Sequence, residues 1–135
     1  METRIIVSAI IEKDGKFLFG KKQPGRGPYP NTWHLLGGGI ERDETLIDAV
    51  KREILEESGL EITDIVPVSF DEDIESNKHG VDTHYIFLVF KTKYKSGKLT
   101  PKNDISELKW IDKSSLAKTK LNRPTVRLFR KLGLI

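Results

Sequence analysis

The sequence predicts a single α+β domain over residues 1–135. Segments rich in β-branched and aromatic residues alternate with turn signals, one long helical segment lies between strands, and a second helix signal comes last. Strands grouped around one long and one terminal helix are typical of an α+β domain rather than of repeated β-α-β units. A chain of 135 residues is long enough to bury one core.

The first half of the chain contains short strands broken by turns. Asp14-Gly15 is a hairpin signal between two apolar runs. Three prolines and two glycines within ten residues favour a loop before the next strand, which leads into Gly37-Gly38-Gly39. The predicted elements here are strands at 4–11, 17–20 and 33–36 and a loop at 23–32.

A helix is predicted over residues 45–58. Thr45, with Asp48 three residues later, resembles a capping box, although Asp replaces the usual Glu or Gln. Gly59 stands where a helix ends with a residue in the left-handed conformation.

The second half predicts two more long strands, one short strand and a terminal helix. Asp71, Glu72 and Asp73 lie in a polar segment that we interpret as a solvated loop. Alternation of apolar and polar residues indicates the strand that follows it. The predicted elements are strands at 61–70, 84–94 and 107–111, a loop at 71–80, a turn at 96–97 and a helix at 124–132.

Composition excludes several classes of protein. No apolar run approaches the roughly 20 residues of a membrane span, and the N-terminus lacks the layout of a signal peptide. Zero cysteines exclude disulfides and thiolate metal sites, which fits a cytoplasmic protein. The net charge is +3, but the basic residues are scattered, so nucleic-acid binding is not predicted. We expect a monomer or a homodimer.

The helix carries an unusual arrangement of acidic residues. At about 100° per residue, Glu53, Glu56 and Glu57 follow the apolar stripe that begins with Leu46 and Ala49. Carboxylates on a partly buried face repel one another, and Mg²⁺ or Mn²⁺ would relieve that repulsion by binding their oxygens. A solvated acidic patch is the alternative, and the helix alone does not decide between them.

Residues 38–60 resemble the Nudix box, the signature of the Nudix hydrolases. The box is written G-x5-E-x7-R-E-U-x-E-E-x-G-U, where U is a bulky aliphatic residue, and all nine of its fixed positions are filled. Those positions are Gly38, Glu44, Arg52, Glu53, Ile54, Glu56, Glu57, Gly59 and Leu60. The order of the flanking strands and loops also fits the family. The resemblance implies the Nudix fold, a mixed β-sheet sandwiched between helices.

The resemblance implies a metal-dependent hydrolase acting on a nucleoside diphosphate linked to another group. Glu53, Glu56 and Glu57 match metal-binding positions, and the Gly38 carbonyl matches a position that often adds an oxygen ligand. The box arginine, Arg52, is expected to hold a catalytic glutamate in place rather than to form only a surface ion pair, and Glu44 is expected to be structural. The implied cofactor is Mg²⁺ or Mn²⁺. Family members often have a proline where this chain has Leu36, a departure that removes no ligand.

The general base remains open between the helix and a later loop. Glu53 is one candidate, and Asp104 and Glu107 are the later ones. Glu107 is also a candidate metal ligand, and an ordinary exposed strand residue is its alternative role.

Other positions resemble those that bind substrate in the MutT-like branch of the family. Lys21 or Lys22 is expected to contact phosphates, with Arg26 as a weaker candidate. Asn122, in an Asn-x-Pro sequence before the last helix, would contact a purine base, and an ordinary helix cap is the alternative. Trp33, Phe70 and Tyr85 could stack on a base, although strand aromatics usually pack in the core.

The sequence as a whole therefore predicts a pyrophosphohydrolase. A nucleoside triphosphate, including an oxidised purine dNTP, is the leading substrate class, with NMP and pyrophosphate as products. Nucleotide sugars or other nucleoside diphosphate derivatives are the alternative substrates. A Nudix module that binds nucleotide or RNA without hydrolysis is the alternative of another class, and the complete set of glutamates disfavours it.

Overall fold

The computed structural model describes all 135 residues and has an α+β architecture, which confirms the predicted class. Two helices accompany a six-stranded sheet. The strands are β1 (Glu2–Lys13), β2 (Lys16–Lys22), β3 (Leu36–Gly39), β4 (Glu61–Ser76), β5 (Asp82–Ser96) and β6 (Ile105–Asp112). The helices are α1 (Leu46–Ser58) and α2 (Arg123–Lys131), and a short 3₁₀ helix spans Lys113–Lys118.

The sheet is mixed. Its order is β4-β5-β1-β2-β6, with β3 paired to β1 beside this path. β1 and β5 are parallel, whereas the other pairs are antiparallel. The parallel pair lies at the centre of the sheet and joins strands that are far apart in sequence, so it organises the whole domain.

Each face of the sheet is covered by one helix. The core on one face combines α1 residues with alternate residues of β1, and includes Val7, Ala9, Val50 and Ile54. The core on the other face contains Phe17, Phe19, Val89, Leu128 and Phe129, so that α2 packs there. This sandwich of a mixed sheet between helices is the architecture that the resemblance implied.

α1 begins and ends at the predicted caps, and α2 lies within one residue of its predicted range, 124–132. The Thr45 hydroxyl accepts a hydrogen bond from the Asp48 backbone N–H at 3.1 Å, and Gly59 ends α1 with a φ of 76°. Asn122 caps α2 by accepting a hydrogen bond from the Thr125 backbone N–H at 3.0 Å. Each of these caps involves only residues at the end of its own helix, which is why the local sequence predicts them.

Two predicted boundaries are wrong. The segment 71–76 was predicted to be a loop, but it extends β4 and pairs with β5 as far as Ser76. Its acidic residues are accommodated in a strand because arginines of α2 bind them. The strand predicted at 33–36 is displaced, because Trp33 and His34 form only isolated bridges, and regular pairing runs through the glycines of β3.

No helix of the structure is long and apolar enough to cross a membrane.

Candidate active site

The glycines of β3 bring the backbone of the sheet against the carboxylates of α1. A Cβ atom added to Gly38 would lie 2.5 Å from the Glu53 carboxyl group, so any side chain at this position would displace that carboxyl group. The Gly37 backbone N–H donates a 2.8 Å hydrogen bond to Oε1 of Glu57. The three successive glycines of β3 therefore let glutamates of α1 reach the main chain directly.

Burial raises the pKa values of two of these carboxylates. Glu57 is only 4% exposed, and its removal from water raises its pKa to about 8 despite the hydrogen bond from Gly37. Burial also raises the pKa of Glu53, against the opposing effect of the neighbouring Arg52. The nearby charge of Glu53 further raises the pKa of Glu57. Ionising both of these neighbouring carboxyl groups is unfavourable because they are buried and repel each other. A bound cation would offset that cost, so the pair is electrostatically suited to a metal ion.

Arg52 connects the ends of the box. Its guanidinium forms a fork with Glu44, donating from Nε to Oε2 at 2.7 Å and from Nη2 to Oε1 at 2.8 Å. The same group donates to the Gly39 carbonyl at 3.1 Å, to Glu53 at 2.9 Å and to Glu56 at 3.2 Å. Hydrogen bonds from Arg52 and from the Glu41 backbone N–H lower the pKa of Glu44 to about 2. The arginine thus contacts Glu53 directly and is itself anchored by Glu44.

The oxygen atoms at this point fit a hard divalent cation. Glu53 and Glu57 lie on the buried side of α1, whereas the Glu56 carboxylate is 44% exposed and pairs with Arg52. No three acidic or histidine side chains already form a closed ligand set. The donor chemistry therefore suits Mg²⁺ or Mn²⁺ with water or phosphate oxygens as further ligands, and the Gly38 carbonyl remains a predicted ligand.

These carboxylates lie at one end of a cleft of about 610 Å³. Strand register places Gly39, Ile6, Phe87 and Asp71 in one row across its floor. Neighbouring strands are about 4.8 Å apart, so this row spans roughly 14 Å from β3 to β4. The cleft is therefore long enough for an extended ligand that has its anionic part at the α1 end.

The middle of the floor is aromatic. The rings of Tyr85 and Phe87 are stacked, with centroids 6.1 Å apart, and both line the cleft. Its walls come from the loop at 23–32 and from the first turns of α2, through Tyr29, Asn122 and Thr125. Cationic side chains also line the cleft, namely those of Arg4, Lys22, Arg26, Lys78 and Lys131.

The structure brings some of the predicted substrate residues to the cleft and leaves others outside it. Lys22 and Asn122 line it, whereas Lys21 lies outside, with its Nζ 5.2 Å from the centre of the Trp33 ring. Asn122 has its Oδ1 occupied by the helix cap, which leaves its amide N–H groups available to a ligand.

Of the two later candidates for the general base, one lines the cleft and the other does not. Asp104 lines the cleft and lies 3.8 Å from Lys22. Glu107 is exposed on β6, opposite Lys21, and does not line the cleft. Among the aromatic candidates, only Tyr85 lines the cleft, since Trp33 lies outside it and Phe70 is exposed.

Sequence reasoning missed two residues that line the cleft, Arg4 and His34. Arg4 lies on β1 in the row of Tyr85 and Asp73, a placement that follows from the parallel register. His34 is half-buried; its Nδ1–H donates to the Leu35 carbonyl at 2.7 Å, and its Nε2 is buried without a partner. Burial lowers the pKa of His34 to about 4, so it is neutral at pH 7. No local pattern marks these residues, because long-range strand pairing places them.

Comparisons with known proteins identify the family of this chain. The protein-family model of the NUDIX domain matches residues 2–132 of the sequence. The chain is 35% identical to the nucleoside triphosphatase NudI of Enterobacter sp. (strain 638) and 32% identical to that of Escherichia fergusonii, with full coverage of both partners in each comparison.

A solved structure, that of a MutT NUDIX hydrolase from Burkholderia pseudomallei, superimposes with a TM-score of 0.83 at 24% identity. The superposition covers 96% of this chain and 98% of that one, and it shows a shared fold. With the complete box, the glycine strand and the match over nearly the whole length, this protein belongs to the Nudix family and is a Nudix hydrolase.

Proposed function

We propose that the protein is a Mg²⁺-dependent pyrophosphohydrolase of nucleoside triphosphates, which it cleaves to NMP and pyrophosphate. The observation that carries the proposal is the layout of the cleft. Buried glutamates lie with Arg4 and Lys22 at one end. The aromatic pair lies two strands away on β5, about 10 Å across the floor, and the Asn122 amide donor lies in the adjoining wall. The name of the relatives, nucleoside triphosphatase NudI, supports the same substrate class.

The charged end of the cleft suits a phosphate chain. Lys22 and Arg26 would bind phosphate oxygens, and Arg4 lies beside the backbone of Gly39 at the same end. Glu53, Glu56 and Glu57, which all line the cleft, would hold the divalent ion together with the Gly38 carbonyl. When bound, that ion would neutralise phosphate charge and acidify a bound water.

The protein's own groups would handle the proton and the geometry. Glu53 is held at 2.9 Å by Arg52, and its pKa is raised by burial, which suits a group that accepts a proton from water near neutral pH. Asp104 also lines the cleft, beside Lys22 and close enough to affect the pKa of Glu57, and is the alternative base. The stacked Tyr85 and Phe87 would receive the nucleoside, with the Asn122 amide donating to an acceptor on its base.

The test is a substrate panel incubated with the purified protein and Mg²⁺. It contains canonical and oxidised dNTPs, NTPs, nucleotide sugars, ADP-ribose and dinucleoside polyphosphates, with phosphate and pyrophosphate release measured separately. Pyrophosphate plus monophosphate from a nucleoside triphosphate is the expected result. Activity confined to a diphosphate derivative would refute the substrate class while leaving the carboxylate site in place.

A non-catalytic binding module gives a different result. The wild-type protein would then bind nucleotide without hydrolysing any member of the panel. The variant Glu53→Gln provides the matched comparison, because it preserves the shape of the side chain while removing its charge. Loss of hydrolysis with retained nucleotide binding in this variant supports a catalytic Glu53.

A further inference from the structure

The Asp73 carboxylate joins three elements that meet at the far end of the cleft. The Tyr29 hydroxyl donates a 2.6 Å hydrogen bond to Oδ2 of Asp73. Arg123 donates to the same oxygen from Nη2 at 2.7 Å and from Nε at 3.1 Å, while Arg127 lies 3.6 Å from Oδ1. The Asp73 side chain is only 12% exposed, whereas that of Arg123 is 51% exposed, so the carboxylate is enclosed by its partners while the arginine side of the junction faces solvent.

Each connected element forms part of the substrate cleft. Tyr29 belongs to the loop whose Arg26, Gly27 and Pro28 line one wall. Arg123 is the first residue of α2, next to the lining residue Asn122. Asp73 itself is paired in register with Tyr85 of the floor. One carboxylate therefore ties both walls to the floor.

The surrounding contacts define the geometry of this junction further. Arg123 also donates to Glu75 at 3.0 Å, and its guanidinium lies 5.8 Å from the centre of the Tyr29 ring. One turn later, Arg127 donates to Asp71 at 3.0 Å and to the Glu72 carbonyl at 2.7 Å. Although burial opposes it, hydrogen bonds from Tyr29 and Arg123 lower the pKa of Asp73, so the carboxylate stays ionised at neutral pH.

The junction is separate from the contacts that attach α2 to the domain. Leu128 and Phe129 are buried, and the Phe129 ring contacts those of Phe17 and Phe19. These apolar contacts hold the body of the helix on the sheet without involving Asp73. The contacts of Arg123 with Asp73 act on its first turn, where Asn122 and Thr125 line the cleft.

We propose that Asp73 is a positioning residue that sets the width of the nucleoside end of the cleft and thereby its selectivity among bases. The proposal rests on the proposed function. Asp73 acts through Tyr29 and Arg123, which hold the loop and the first turn of α2 at a fixed separation over Tyr85. Loosening the junction widens the binding end while leaving the glutamates of α1 unchanged.

The central experiment compares Asp73→Asn with Glu72→Gln. Glu72 is the neighbouring carboxylate of the same strand, and it contacts His84 at 2.7 Å instead of the cleft walls. We expect Asp73→Asn to raise KM for the preferred nucleoside triphosphate about tenfold, the equivalent of one charge-assisted hydrogen bond, with kcat within about twofold. The ratio of kcat/KM between purine and pyrimidine substrates should fall as well, whereas Glu72→Gln should change neither quantity.

A double-mutant cycle keeps the test sensitive to the mechanism. Tyr29→Phe removes only the hydroxyl, and should raise KM by about threefold. In the variant that combines Tyr29→Phe with Asp73→Asn, KM should rise no further than with Asp73→Asn alone, because both changes break one junction. Amide hydrogen exchange in apo Asp73→Asn should accelerate in the loop at 23–32 and in the first turn of α2.

The possible failures can be told apart. If Asp73 serves only the stability of the fold, Asp73→Asn would lower kcat for every substrate in proportion to the folded fraction and leave KM and base selectivity unchanged. That result would overturn the proposal about Asp73 but not the proposed function. A wild-type protein that neither binds nor cleaves nucleotides would overturn the proposed function together with it. Acceleration of exchange throughout the sheet, rather than in the two walls, would also contradict a positioning role.

Discussion

The backbone N–H of Gly37 donates a 2.8 Å hydrogen bond to a carboxylate oxygen of Glu57, which is buried at the end of α1. This contact joins the glycine strand to the acidic helix. A single N–H donor does not replace the water that an ionised carboxylate loses, so burial still raises the pKa of Glu57 to about 8. Ionised Glu57 is the form that binds a cation, and in the absence of metal this ionised form destabilises the folded protein.

Replacing Glu57 with Gln is expected to stabilise the apo protein at pH 8. The pKa of folded Glu57 lies above its ordinary value of 4.5, so its contribution to stability is present below pH 4.5 and is lost as the pH rises toward 8. The full loss is on the order of 3–5 kcal/mol as an upper bound. Glutamine removes that dependence and can still accept the Gly37 hydrogen bond. Thermal unfolding in EDTA at several pH values measures the difference between the two proteins.

His34 provides an internal check on this comparison. Its pKa is lowered to about 4, so the folded state loses stability as the pH falls below about 6.5, the opposite direction to Glu57. Both the wild type and Glu57→Gln contain His34, so the difference between their unfolding free energies isolates Glu57. A difference that does not change between pH 5 and pH 8 would contradict the raised pKa.

Binding of Mg²⁺ at pH 7 is expected to release close to one proton. Glu57 is mostly protonated at that pH, and a carboxylate must be ionised to bind a metal ion. Titration calorimetry in buffers with different ionisation enthalpies counts the released protons. The release should disappear above pH 9 and in Glu57→Gln, while equal heats in all buffers at pH 7 would show that Glu57 is already charged.

Glu44→Gln is expected to lower kcat about 10- to 100-fold, although Glu44 lies outside the proposed ligand set. Its carboxylate holds Arg52 through two hydrogen bonds, and Arg52 in turn holds Glu53. Combining Glu44→Gln with Arg52→Lys should cost little more than Arg52→Lys alone, since lysine cannot form the fork. Glu41→Gln is the matched control because Glu41 is 65% exposed and lies 3.6 Å from Arg52. Equal losses in Glu41→Gln and Glu44→Gln would refute a specific anchoring role.

Asn122 can be tested without removing the helix cap. Aspartate at this position still accepts the Thr125 hydrogen bond but has no amide donor. We expect Asn122→Asp to retain the wild-type melting temperature within a few degrees and to raise KM for nucleotides at least tenfold. Asn122→Ala should lose about 1 kcal/mol of stability in addition. If Asn122→Asp retains the wild-type KM, the amide does not contact substrate, and Asn122 is only a cap.

The carboxylate site was largely predictable because its residues are close in sequence. Glu53, Glu56 and Glu57 share one helix, so helical geometry alone places them within two turns of one another. Thr45 and Gly59 mark the ends of that helix through their own side-chain and backbone preferences. The difference in burial between Glu56 and Glu57 was not predictable, because it depends on the strand packed against the helix.

The substrate end was less predictable, and Asp73 shows why. A run of three acidic residues favours solvent, and the local pattern therefore predicted a loop. The chain instead forms a strand there, because arginines 50 or more residues away bind the carboxylates of Asp71 and Asp73. The local pattern of the sequence was sufficient for the fold class, the helix caps and the acidic helix, all of which follow from interactions within a few turns. Pairing of β1 with β5 and docking of α2 assembled the cleft, since the charges that stabilise it come together only after chain segments distant in sequence have packed.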